Sequence, residues 1–95
     1  MAIPEKTLQS WSAEHPDWEI NPKYLKRTLT LSNFREAVRF VNRVAEVAER
    51  LDHHPDILIH SWNKVTLTLS SHDTGGITAR DLRLAEEIER LLREE

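Results

Sequence analysis

The 95-residue sequence predicts an α+β fold: a four-stranded antiparallel sheet with two long helices and one short N-terminal helix packed on one face. Three observations predict it. Apolar residues from Phe34 to Leu51 recur at helical spacing, the segments Tyr24 to Leu31 and Val65 to Ser71 alternate apolar with polar residues, and the elements follow the order β-β-α-β-β-α.

At the N-terminus, Ile3, Leu8 and Trp11 sit among polar residues after Pro4, a pattern for a short helix that a proline can open. His15-Pro16-Asp17 ends it. Trp18-Glu19-Ile20 and Tyr24 to Leu31 read as two strands joined by the turn-forming set Asn21-Pro22-Lys23. In the second strand Leu25, Arg27, Leu29 and Leu31 share one face, and Lys26, Thr28 and Thr30 the other.

Asn33 with Glu36 three positions later resembles a capping box, and Phe34, Ala37, Val38, Val41, Val44, Ala45, Ala48 and Leu51 follow on one helical stripe. Pro55 closes that helix, because its ring disfavours helical geometry at His54 and it has no amide hydrogen to donate. Ile57 to Trp62 and Val65 to Ser71 then flank Asn63-Lys64, read as a two-residue hairpin connection. Val65, Leu67 and Leu69 alternate with Thr66, Thr68 and Ser70, so one face is buried and the other is lined by small hydroxyls. Asp73-Thr74-Gly75-Gly76 makes a corner. Thr78 with Asp81 opens the last helix, whose Leu82, Leu84, Ala85, Ile88, Leu91 and Leu92 form its apolar stripe.

This length suits one domain over residues 1–95, with neither linker nor internal repeat. A net charge of −3 and a pI near 5.9 argue against a general binder of nucleic-acid phosphates. The lack of cysteine excludes disulfides and thiolate metal sites, and no apolar run is long enough to cross a membrane. A cytoplasmic protein is the expectation.

Chemistry concentrates between Glu49 and His72. Glu49 and His53 stand at i and i+4 if the long helix persists that far, close enough for the carboxylate to orient the imidazole. An antiparallel layout returns His72 toward the same helix end. Two histidines there could eliminate water, one protonating a leaving hydroxyl while the other removes a proton from a neighbouring atom. Against this stand a plain solvated helix end and a metal site completed by Asp52, Asp56 or Asp73, although no HExxH spacing supports the metal. His60 reads as a structural or exposed strand residue, and His15 as a loop residue. Arg35, Arg39 and Arg43 form a helical stripe that could meet an acidic partner, yet Glu36, Glu46 and Glu49 lie in reach to pair with it or with Arg50. Asp81 is first a helix-capping residue by position.

The series Glu49, three residues, His53-His54-Pro55, six residues, Trp62, nine residues, His72, eight residues, Asp81 resembles the signature of the pterin-4a-carbinolamine dehydratase family. Similarity extends through Asn33-Phe34-Arg35-Glu36-Ala37, Asn63-Lys64-Val65 and Gly75-Gly76, over about residues 18–92. The resemblance implies a small α+β enzyme that dehydrates 4a-hydroxytetrahydropterin to quinonoid dihydropterin in tetrahydrobiopterin recycling, with no metal or cofactor. It implies His53, His54 and His72 as active-site histidines, His53 and His72 for acid–base transfer and His54 chiefly to hold substrate. Glu49 would support His53. Asp52, Ser70, Ser71 and Asp73 match positions lining the pterin site, and Trp62 is placed with them. Six residues separate Pro55 from Trp62 where animal members have five, which implies a bulge or shifted turn. Ser71 and Asp73 stand where those members carry threonine and glutamate. The resemblance also implies a homodimer or homotetramer. One animal relative serves as a dimerisation cofactor of a homeodomain transcription factor, a role that resemblance alone does not carry here. The competing expectation, from a different class, is a non-catalytic interaction module built on the Arg35, Arg39 and Arg43 face.

Overall fold

The computed structural model describes residues 3–71 and 76–94. The elements run α1 (Glu5–Glu14), β1 (Glu19–Ile20), β2 (Leu25–Thr30), α2 (Phe34–Leu51), β3 (Asp56–His60), β4 (Lys64–Leu69) and α3 (Ala79–Glu94). They form one antiparallel sheet in the order β1-β2-β4-β3, an α+β architecture that agrees with the expectation.

The alternation in β2 and β4 decides which face is covered. Register pairs Leu25 with Leu69, Arg27 with Leu67 and Leu29 with Val65, so these side chains share one face. There they meet Ala37, Phe40 and Val44 of α2 and Leu84, Ala85 and Ile88 of α3 in one buried cluster. The opposite face carries Lys26, Thr28, Thr30, Lys64, Thr66 and Thr68, and Thr28 and Thr66 bond each other through their hydroxyls at 3.0 Å.

Helix α2 is the best specified element. Asn33 is extended, and its side-chain oxygen accepts from the Glu36 amide at 2.9 Å, a cap worth about 1 kcal/mol. At the other end Asp52 takes the left-handed conformation (φ 52°, ψ 44°), and the His53 amide donates back to the Ala48 carbonyl at 3.0 Å. Aspartate tolerates this region better than most residues, so the helix stops without a glycine.

Polar anchors join the helices. The Trp11 and Trp18 indoles donate to Glu86 and Glu89 of α3, each at 3.1 Å, and the Arg27 guanidinium pairs with Glu89 at 2.8 Å from beneath. His15 stacks on Trp11 and bonds its carbonyl at the end of α1. Between α2 and α3, Arg43 pairs with Glu94 at 3.2 Å and Arg50 with Glu87 at 3.3 Å. The arginine stripe is thus charge-paired at Arg43, and at Arg39, which lies 3.9 Å from Glu36.

The β3–β4 connection differs from the two-residue turn expected at Asn63-Lys64. It comprises Ser61, Trp62 and Asn63, with Ser61 and Trp62 both left-handed (φ 50° and 55°). The cause is a clamp on the end of β2: the Leu31 amide donates to the Asn63 carbonyl at 2.8 Å, and the Asn63 side chain donates to the Leu31 carbonyl at 3.0 Å. Lys64 is thereby held in β4 opposite Thr30 and His60.

Phe40 has no exposed surface. Truncation by Phe40→Ala should cost about 3–5 kcal/mol, read as a lowered urea midpoint with an unchanged slope. Burial opposes ionisation of Glu87, but Arg50 and Arg90 outweigh it and hold the carboxyl below its usual value of 4.5. A carboxyl with a lower pKa in the folded state stabilises above its unfolded pKa, and that contribution fades as pH falls through the folded value. Glu87→Gln should therefore unfold more easily than the parent near pH 7, with the gap shrinking near pH 3. Urea titrations at the two pH values measure it.

Candidate active site

The left-handed turn at Asp52 separates two adjacent histidines. His53 turns inward and is 7% exposed, whereas the side chain of His54 is 56% exposed. His53 Nε2 lies 2.5 Å from Oδ1 of Asp81, a carboxylate with no exposed surface at the start of α3. The expected partnership of Glu49 with His53 is not formed; Glu49 bonds His54 Nε2 instead. Helical spacing would have stacked Glu49 under His53. The helix ends at Leu51, and the Asp52 turn carries His53 off that face, bringing the next residue within reach of the carboxylate.

Asp81 is the hub of a buried polar cluster. Its Oδ2 accepts from the Ser71 hydroxyl at 2.8 Å and from the Thr78 amide at 2.9 Å. With the Ser71 proton committed to Asp81, the Thr78 hydroxyl donates to Ser71 Oγ at 2.7 Å. The Ser71 amide also bonds the Gly76 carbonyl at 2.9 Å, tying together the two ends of the segment between β4 and α3. A carboxylate holding donors on both oxygens is an acceptor, so His53 Nε2 carries a hydrogen toward it. Nδ1 is then the ring nitrogen that Asp81 does not engage. This is the arrangement of an imidazole whose ring position and tautomer are set by a buried acid.

Arg80 closes the outer side by donating to the Asp52 carbonyl at 2.6 Å, so α3 clamps the turn that sorts the two histidines. Asp52 itself is exposed, and Ser70 is half-buried at the end of β4. Ser71 is buried with its hydroxyl directed at Asp81. His72 and Asp73 lie outside the described residues. Trp62 is 61% exposed at the hairpin tip, the end of β3 opposite Asp56, so within one chain it does not meet His53. His60, on the uncovered face, bonds the Thr66 hydroxyl at 2.9 Å. A cleft of about 580 Å³ between α1 and the β1–β2 turn, lined by Ile3, Glu5, Leu8, Ile20 and Pro22, holds no histidine.

Asp81 is the site residue that spacing alone passed over. The signal was present: in a Thr78-x-x-Asp81 capping box the acid reaches back to the cap amide with one oxygen, leaving the other free. Asp81→Ala would leave the His53 ring, the Ser71 hydroxyl and the Thr78 amide without their acceptor. It should cost about 3 kcal/mol or more, against about 1 kcal/mol for Ser71→Ala, compared by chemical denaturation.

The same chain is similar to known proteins over nearly its whole length. A family model described as pterin 4 alpha carbinolamine dehydratase matches residues 1–91. A Thermomicrobium roseum protein is 48% identical over 89 residues, 94% of this chain and 95% of its own, and a Nocardia farcinica protein is 49% identical over 78 residues, 82% and 81% of the two chains. Both are described as candidate pterin-4-alpha-carbinolamine dehydratases. Among solved structures, a transcriptional coactivator/pterin dehydratase from Brucella melitensis superposes with a TM-score of 0.86 at 25% identity, covering 95% of this chain and 97% of that one. A pterin dehydratase-like RuBisCO assembly factor of the alpha-carboxysome shares the fold at a TM-score of 0.62 and 17% identity, over 78% of this chain and 84% of its own. On the family match and these identities, the chain belongs to the pterin 4 alpha carbinolamine dehydratase family.

Proposed function

We propose that the protein dehydrates a 4a-hydroxytetrahydropterin to the quinonoid dihydropterin and water, by acid–base catalysis at His53. The observation that carries this reading is the His53–Asp81 pair at 2.5 Å, which holds one nitrogen of a nearly buried imidazole and leaves the other for proton transfer. The reaction breaks the C4a–O bond, removes the N5 proton and forms the C4a=N5 double bond, so one proton must reach the departing hydroxyl and another must leave N5. His53 supplies one of these transfers, and His72, the second acid–base residue of the family resemblance, supplies the other. His54, exposed and held by Glu49, contacts the substrate. Ser71 supports Asp81 from beneath, a part its buried hydroxyl fits better than direct contact with the pterin.

The interaction-module reading lacks a comparable observation. Its Arg39 and Arg43 are already engaged by Glu36 and Glu94.

His53→Gln preserves a side-chain amide that can donate to Asp81 but cannot shuttle a proton near neutral pH. It should lower the dehydration rate by about 10²–10⁴-fold, with folding stability close to the parent, in a spectrophotometric assay on freshly generated 4a-hydroxytetrahydropterin. Parent protein with no rate above buffer would overturn the assignment.

A further inference from the structure

The uncovered face of the sheet sorts its charges by row. Register places Glu19, Lys26, Thr68 and Asp56 side by side across the four strands, so the two strand acids of this face flank one lysine at that end. Four residues back along β4, about 13 Å away at about 3.3 Å per residue, the row is Thr30, Lys64 and His60, with no carboxylate in it. Lys64 Nζ donates one of its three hydrogens to the Thr30 hydroxyl at 3.2 Å, and among the described residues no ion pair engages it. His60 stands directly opposite Lys64 and meets a hydroxyl at each ring nitrogen: Nδ1 lies 3.1 Å from Ser61 Oγ and Nε2 2.9 Å from Thr66 Oγ1. Thr66 is 8% exposed and bonds in turn to Thr28, at the open surface, at 3.0 Å.

A hydroxyl both donates and accepts, so the protonation of His60 decides which way this chain of bonds runs. A neutral ring leaves both directions open; with Nε2 as acceptor, Thr28 donates inward to Thr66 and Thr66 to the ring. A protonated ring allows one direction only. Both nitrogens then donate, Thr66 passes its hydrogen to Thr28, and the Thr28 hydrogen turns outward. Protonation also sets two positive charges opposite each other, an arrangement that is unfavourable without a counter-ion. The groups facing the ring are Lys64 and Thr66 of β4 and the adjacent Ser61; Asp56 lies at the other end of β3, and α2 packs on the opposite face of the sheet. We propose that Lys64, His60 and the Thr28 hydroxyl form a binding site for a tetrahedral dianion of the phosphate or sulfate class, engaged when His60 is protonated. Two adjacent cations match a doubly charged ligand. Lys64 and Thr28 are diagonal neighbours on β4 and β2, with backbones about 7–8 Å apart, so ammonium and hydroxyl reach different oxygens of one ion. His60 acts through its charge and through the Thr66–Thr28 chain. The site lies at the opposite end of β3 from the His53–Asp81 pair and does not rest on the dehydratase reading.

Sulfate is the probe, because it stays a dianion between about pH 6 and about pH 8, the interval over which histidine charge changes. Titrated into isotopically labelled protein, with chloride holding the ionic strength constant, it should produce saturable NMR shifts at Thr28, Thr30 and Lys64. The dissociation constant should be at least about fivefold lower at the acid end, the effect of one unit charge about 4 Å away in water. His60→Gln keeps a bond to Thr66 without the charge and should bind sulfate alike at both pH values. Lys64→Gln should weaken binding by at least about fivefold throughout, and Thr28→Val should weaken it more at the acid end than at the alkaline end. Near pH 8, where a phosphate monoester is also a dianion, methyl phosphate bound as tightly as sulfate assigns the site to esters, and sulfate bound alone assigns it to the free ion. Shifts that do not saturate or that centre elsewhere, a pH gain that survives in His60→Gln, or equal affinity for acetate overturns the proposal.

Discussion

Everything around the candidate site depends on one buried carboxylate. Asp81 has no exposed surface, and an ion in that position is tolerable only where its lone pairs are met by donors. The donors come from three places: His53 in the turn after α2, Ser71 two residues past β4, and Thr78 immediately before α3. The chain ends that must converge for the sheet and helices to close are therefore the ones that must converge to satisfy Asp81. Site and scaffold are one structure at this point, and the orientation of His53 comes with correct folding.

Much of this was legible in the residues. Asn33 and Glu36 announced the start of α2, Pro55 only that it could not run past His54, and the alternation of Leu25, Leu29, Val65, Leu67 and Leu69 the buried face of the sheet. These features are local, and nothing distant overrides them. The pairing around the histidines was not legible, because it turns on a single backbone angle at Asp52. Spacing of i and i+4 joins Glu49 to His53 only while the helix continues; one left-handed residue exchanges the partners, giving Glu49 to His54 and His53 to Asp81. Asp81 was visible as a cap but not as a hub, since its second oxygen is used by a residue 28 positions earlier, and no local pattern encodes that distance.

The two histidines illustrate how one dipeptide can carry two environments. His53 is enclosed and held by a partner that is itself fixed by the Ser71 hydroxyl and the Thr78 amide, so its ring has little freedom. His54 and Glu49 are both exposed, and a pair in water contributes little to stability. Rigid placement suits a group that must meet a particular atom, and mobility suits one that must let substrate in and out. Arg80 joins these environments by gripping the Asp52 carbonyl from α3.

At the far end of the sheet, the left-handed Ser61 and Trp62 are costly for residues with side chains, on the order of 1–3 kcal/mol each, and they persist because Asn63 is clamped to Leu31 from both sides. That clamp fixes the phase of β4. Were the tip to relax and let β4 slide by a single position, Val65, Leu67 and Leu69 would turn to water and the threonines would turn to the core. The asparagine at the tip thus acts as a ratchet pawl, and the fidelity of strand alignment throughout the sheet is traded against local discomfort in two residues that take no part in the core.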